Sequence, residues 1–183
     1  MRRKNIILTV TVALLLCVLP LSAKAEYTPS LTLNSSLTLT QNRNLTNFEL
    51  PTRTSAYFEI NLTPLSFNVN KRFIFDVGLS FFSNSNSLAW NNTQLLGFYG
   101  LEGSVLLGGN IKRYQIKTGI GIAYNRYLNE DYYFLSLNGI LNQSILISDH
   151  VGISLPFKFS FRQEVFDYRL GFGITYYPLG GAL

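Results

Sequence analysis

The feature that most constrains this chain is a two-residue alternation running from about residue 30 to residue 178. It is cleanest near the end. Tyr168, Leu170, Phe172, Ile174 and Tyr176 form one series, and Arg169, Gly171, Gly173, Thr175 and Tyr177 form the other. A strand sends successive side chains to opposite faces, so a large apolar series set against a small or polar one describes a strand between two unlike environments. The pattern recurs in eight segments: 30–41, 54–69, 72–82, 93–107, 111–127, 132–147, 151–162 and 166–178. Eight strands close a small barrel. No helical period, internal repeat or linker interrupts them.

The punctuation is regular too. Short turns are expected at Asn70-Lys71, Gly108-Gly109-Asn110 and Ser148-Asp149-His150. They alternate with longer polar links at 41–53, 83–92, 128–131 and 163–165. In the second segment the apolar parity slips at Pro64, from Ala56, Phe58, Ile60 and Leu62 to Leu65, Phe67 and Val69. A bulge there accounts for both the slip and the tolerated proline.

Alternation alone leaves the facing open, because a soluble lipocalin-like barrel also alternates, with its apolar side chains inside. The polar series decides it. It is Ser, Thr, Asn and Gly with about one charge per segment, a poor water-facing surface but a good filling for a narrow lumen. Tyr57, Phe67, Phe81, Tyr124, Tyr133, Tyr168 and Tyr176 lie near segment ends, as interfacial aromatic belts require. The expected fold is therefore an all-β, eight-stranded antiparallel up-and-down barrel that crosses a membrane with its apolar side outward.

Residues 1–25 carry the pattern of a cleaved secretory signal peptide, leaving 26–183 as one barrel domain. Arg2, Arg3 and Lys4 precede an apolar run from Ile6 to Leu21, and Ala23-Lys24-Ala25 is a small-residue cleavage site. The run is short for a spanning helix, which needs ~20 residues. Cys17 sits inside the run rather than after it, against lipidation at that residue. Removal of the leader takes the only Met and the only Cys, so no disulfide remains possible. It also takes four bases and leaves eleven bases against ten acids. The basic isoelectric point belongs mostly to the targeting signal, and nucleic acid is not an expected partner.

The last segment resembles the assembly signal of bacterial outer-membrane barrels. Arg169, Gly171, Ile174 and Tyr176 occupy its polar, glycine, apolar and terminal aromatic positions. In architecture and size the chain resembles the small OmpX-like and OmpA-transmembrane-like members. The resemblance implies a multi-pass barrel in the outer membrane, in contact with its lipid and delivered by periplasmic chaperones to the barrel assembly machinery. If both chain ends lie in the periplasm, the short turns lie on that side and the longer links outside. One departure stands out: residues 178–183 continue beyond the aromatic position.

Charges on the polar series are the most unusual side chains. Glu59, Asp76 and Glu102 lie on segments two to four, and Lys117, Lys158, Arg162 and Arg169 on segments five, seven and eight. Counting outward from a turn at Gly109 sets Glu102 nearly opposite Lys117, and Lys158 is a near neighbour of Arg169 across the last hairpin. Charges in a narrow lumen are costly unless paired, so an ion-paired plug is expected, with a gated narrow pore as the sharper alternative.

Catalysis has little support. His150 is the only histidine and falls in a turn, where a triad-like site would need partners. No metal or cofactor motif is present. The function classes left open are a structural or narrow-pore barrel, a surface-binding or adhesion protein acting through loops 41–53 and 83–92, and, with least support, a lipid-modifying enzyme.

Overall fold

The computed structural model describes residues 25–42, 53–69, 72–85, 98–127, 133–162 and 165–181. Apart from Ala25, the expected signal peptide lies outside the described residues, as do the Asn70-Lys71 turn, Trp90 and most of the four long links. The strands are β1 (Ala25–Tyr27), β2 (Ser30–Asn42), β3 (Arg53–Val69), β4 (Phe73–Ser85), β5 (Phe98–Ile111), β6 (Tyr114–Tyr127), β7 (Tyr133–Leu146), β8 (Val151–Arg162) and β9 (Val165–Tyr176). β2 to β9 pair with their sequence neighbours, all antiparallel. β2 also pairs with β9, from Leu31↔Tyr176 to Asn42↔Val165, which closes the barrel. β1 is a short addition alongside the end of β3, Ala25↔Val69. A closed ladder satisfies the strand backbones without water, the condition for crossing a membrane.

The polarity is that of a membrane barrel. Among the described residues, thirty-three large apolar side chains are exposed, while the buried set is twenty-five polar or charged residues to nine apolar ones. A water-soluble barrel would reverse that ratio. Ile120 is 63% exposed and Ile122 61%, while Gln115, Lys117, Ala123 and Asn125 on the same strand are buried. The bulge is present, as a register shift between Leu62 and Leu65.

Three expectations need correction. The Gly108-Gly109-Asn110 stretch does not turn. β5 runs through it to Ile111, and the hairpin closes at Lys112-Arg113, where Lys112 takes φ 57°. Glycine pairs are a turn signal because they permit positive φ, but ladder bonds and the phase of Leu107 and Ile111 carry the strand onward. Moving the turn changes the register, so Glu102 faces Ala123 and Lys117 faces Gly108. Tyr57 is not a belt residue. It shares the inward phase of Glu59 and is almost fully buried. The other belt aromatics stay outside. Phe81, Tyr124, Tyr133, Tyr168 and Tyr176 are exposed and Phe67 is half-buried.

Candidate functional site in the barrel lumen

Among the described residues, the inward phase of β3 to β6, β8 and β9 delivers charge to the lumen, and its ion pairs lie at two levels. At the level nearer the long links, Lys158 of β8 reaches across the barrel. Its Nζ donates to Glu59 Oε1 of β3 and to Glu102 Oε1 of β5, both at 2.7 Å. The second oxygen of Glu102 accepts from Asn138 Nδ2 of β7. One lysine thus ties four strands together. Glu102 is fully buried, and an added Cβ at Gly121 would press on its side chain at 3.0–3.1 Å, so that glycine makes its room.

Arg169 of β9 stands beside Lys158 in register. Its guanidinium lies 4.5 Å from the Tyr57 ring centroid and 4.9 Å from that of Phe82, and its Nη2 donates to Ser160 Oγ at 2.8 Å. Aromatic faces attract a cation most when water is excluded, as here. Tyr57, Phe82, Ala123 and Phe134 form an apolar cluster contributed by four strands, and Asn125 Nδ2 donates to the Ala123 and Phe134 carbonyls beside it. Gly100 leaves space for the Phe82 ring, which a Cβ would strike. Charge bridge, stacked arginine and aromatic cluster all lie in the lumen of this half.

Nearer the short turns, Lys117 Nζ of β6 meets Asp76 Oδ2 of β4 at 2.7 Å. Beside them is a polar cavity of about 20 Å³, lined by Thr32, Asn34, Asn61, Asn142, Thr175 and Tyr177 among others. That is room for about one water. Tyr177 follows β9 and lines this cavity. It is buried, and its hydroxyl donates to Gln115 Oε1 at 3.3 Å. Burial pushes its phenol above the ordinary value, against the pull of Lys117, so the donor proton is kept at neutral pH. The chain beyond Tyr177 folds under the β7–β8 turn. Tyr177 N–H donates to the His150 carbonyl at 2.9 Å, Gly181 N–H to that of Asp149, and His150 Nδ1 lies 2.8 Å from the Tyr177 carbonyl. His150 is exposed and ties the tail in place. The chain beyond Tyr176 thus packs against the β7–β8 turn, with Tyr177 buried at this end of the lumen.

The structure brings together Glu59, Glu102, Lys158 and Arg169 at one level and Asp76 with Lys117 at the other. The expected Glu102–Lys117 pair is replaced by Glu102–Lys158 and Asp76–Lys117, because the turn moved. Arg162 ends β8, and its side chain lies outside the described residues. The sequence reading missed Asp167, Asn138, Phe82 and Tyr177, all buried. Alternation would have found Asp167, two positions from Arg169, and Asn138, in phase with Phe134 and Ser136. Phe82 ends its expected segment in phase with Asp76, Gly78 and Ser80, and was missed because the inward series was followed only to Ser80.

The geometry agrees with solved structures. The Neisserial surface protein A barrel superposes with a TM-score of 0.59 at 11% identity, over 81% of this chain and 96% of that one. Ail, the attachment invasion locus protein of Yersinia pestis, superposes with a TM-score of 0.53 at 14% identity, over 83% of this chain and 99% of its own. The chain has the fold of the small outer-membrane β-barrels. Fold and inside-out polarity together make it a multi-pass barrel of the bacterial outer membrane. No protein-family model matches the chain, and no curated protein matches it in sequence.

Proposed function

We propose that this protein is a closed structural barrel of the outer membrane, non-conducting at rest, with its short turns and both ends of the barrel chain on the periplasmic side. The observation that carries the reading is the Lys158 bridge to Glu59 and Glu102 across the lumen, packed against the Arg169–Tyr57–Phe82 stack. An ion would have to break buried pairs to pass, at a cost of several kcal/mol. Planar-bilayer recording tests it. Wild-type protein should give no sustained channel steps, and a large stable conductance would replace this reading with an open pore.

A second reading, recognition at the cell surface through links 41–53 and 83–92, is supported by the likeness to Ail, whose structure in complex with the heparin analogue sucrose octasulfate superposes with a TM-score of 0.53 at 13% identity. Retention of detergent-solubilised protein on immobilised heparin, abolished by replacing both links with short turns, would favour it. The two readings are compatible, since a rigid sealed barrel presents loops well.

A further inference from the structure

The described basic side chains divide sharply by place. Lys117, Lys158 and Arg169 are buried in the lumen and Arg126 is half-buried against Tyr133. The exposed ones are Arg72, Lys112 and Arg113, and all three sit together on two adjacent turns at the same end of the barrel. Asn110 N–H donates to the Arg72 carbonyl at 2.9 Å, which ties the β3–β4 turn to the β5–β6 hairpin. None of the three forms an ion pair with an acid among the described residues. The exposed acids of this end, Glu26 and Asp149, lie on β1 and the β7–β8 turn, flanking this sector.

Immediately above the three bases the wall is apolar. Ile111, next to Lys112, is 69% exposed, and Phe73, next to Arg72, is 47% exposed. A charge at the lower edge of an apolar belt stands at the depth of lipid phosphates. The turn chemistry points the same way. A two-residue hairpin with positive φ at its first central residue favours glycine there, yet this chain places lysine at φ 57° and leaves its glycines in the strand.

We propose that Arg72, Lys112 and Arg113 form a recognition surface for net-anionic phospholipid headgroups, those of the periplasmic leaflet in the orientation given above. The bases hold the headgroup phosphate, and Ile111 and Phe73 meet the acyl chains. Coulomb attraction distinguishes the net-anionic headgroup from a zwitterionic one of the same size. The site is separate from the lumen and does not require the barrel to be closed.

Spin-labelled phosphatidylglycerol and phosphatidylcholine, in vesicles holding the full barrel, read the preference directly. Wild-type protein should retain the anionic label preferentially. Each lost charge should lower that preference roughly fivefold, and the triple variant Arg72→Gln, Lys112→Gln, Arg113→Gln on the order of a hundredfold. Heat-modifiable mobility checks that the variants fold. Lys112→Gly separates headgroup binding from architecture. It relieves the positive φ, so it should fold at least as stably in phosphatidylcholine while losing preference for phosphatidylglycerol. An Arg126→Gln variant should keep the wild-type preference. No preference in the wild type, or one unchanged in the triple variant, would overturn the proposal. Displacement of the label by an equal concentration of inorganic phosphate would overturn the lipid assignment, because a free anion would then suffice.

Discussion

The lumenal bridge makes a prediction that separates the observed pairing from the one expected by counting. In Glu102→Gln the side chain keeps its shape, and its amide oxygen still accepts from Lys158. The amide nitrogen faces Asn138 Nδ2, but Asn138 can turn over, because its Oδ1 has no hydrogen-bond partner and becomes the acceptor. The loss is therefore mainly charge, the difference between a charged and a neutral hydrogen bond, or about 1–2 kcal/mol. Lys158→Met is harsher. It leaves Glu59 and Glu102 buried and facing each other without their cation, at a cost of about 3–5 kcal/mol. The double variant should recover about 1–2 kcal/mol of the summed loss, since the neutral amide in place of the Glu102 carboxylate removes one of the two stranded charges. Denaturant unfolding of the vesicle-inserted barrel, followed by heat-modifiable mobility, measures the cycle. The control pairs Glu102→Gln with Lys117→Met. Lys117 binds Asp76 instead, so those effects should add within about 0.5 kcal/mol. Stronger coupling of Glu102 to Lys117 than to Lys158 would refute the two-level arrangement.

Other outcomes follow from the same geometry. Ile120→Arg places a charge on the lipid face and should cost about 2–4 kcal/mol, seen as reduced insertion into vesicles; unchanged insertion would refute the outward facing. Tyr177→Ala removes the buried ring beside Lys117 and Asp76 and should raise solvent exchange into the turn-end half, read as faster hydrogen exchange of the Gln115 and Lys117 amides without steady conductance if the Lys158 bridge seals the lumen as proposed. If Gly171 and Tyr176 belong to an assembly signal, changing both to Asp should leave export intact and the protein degraded in the periplasm; normal levels of heat-modifiable barrel would show the motif match to be accidental.

The strand content was legible because each segment separates lipid from lumen, and that separation prints a period of two. β8 came out with the observed ends, and the Pro64 bulge was visible as a change of parity. The facing was legible from composition, since Ser, Thr, Asn and Gly cannot make a well-solvated exterior. Errors arose where local chemistry and the ladder disagree. Gly108-Gly109-Asn110 has strong turn residues, yet it lies in β5, and the turn formed at Lys112-Arg113. That displacement of a few residues rewrote every cross-strand neighbour on the hairpin.

By itself the sequence determined which parity of each strand points into the lumen, because facing follows from parity and parity survives an error in turn position. It thereby determined that acids and bases must meet inside. Only the closed barrel decided who meets whom. Lys158 finds Glu59 and Glu102 across the lumen, and Arg169 finds Tyr57 and Phe82, through contacts between strands that are not adjacent. Those contacts depend on barrel diameter, strand tilt and side-chain reach, none of which is written in any local run of residues.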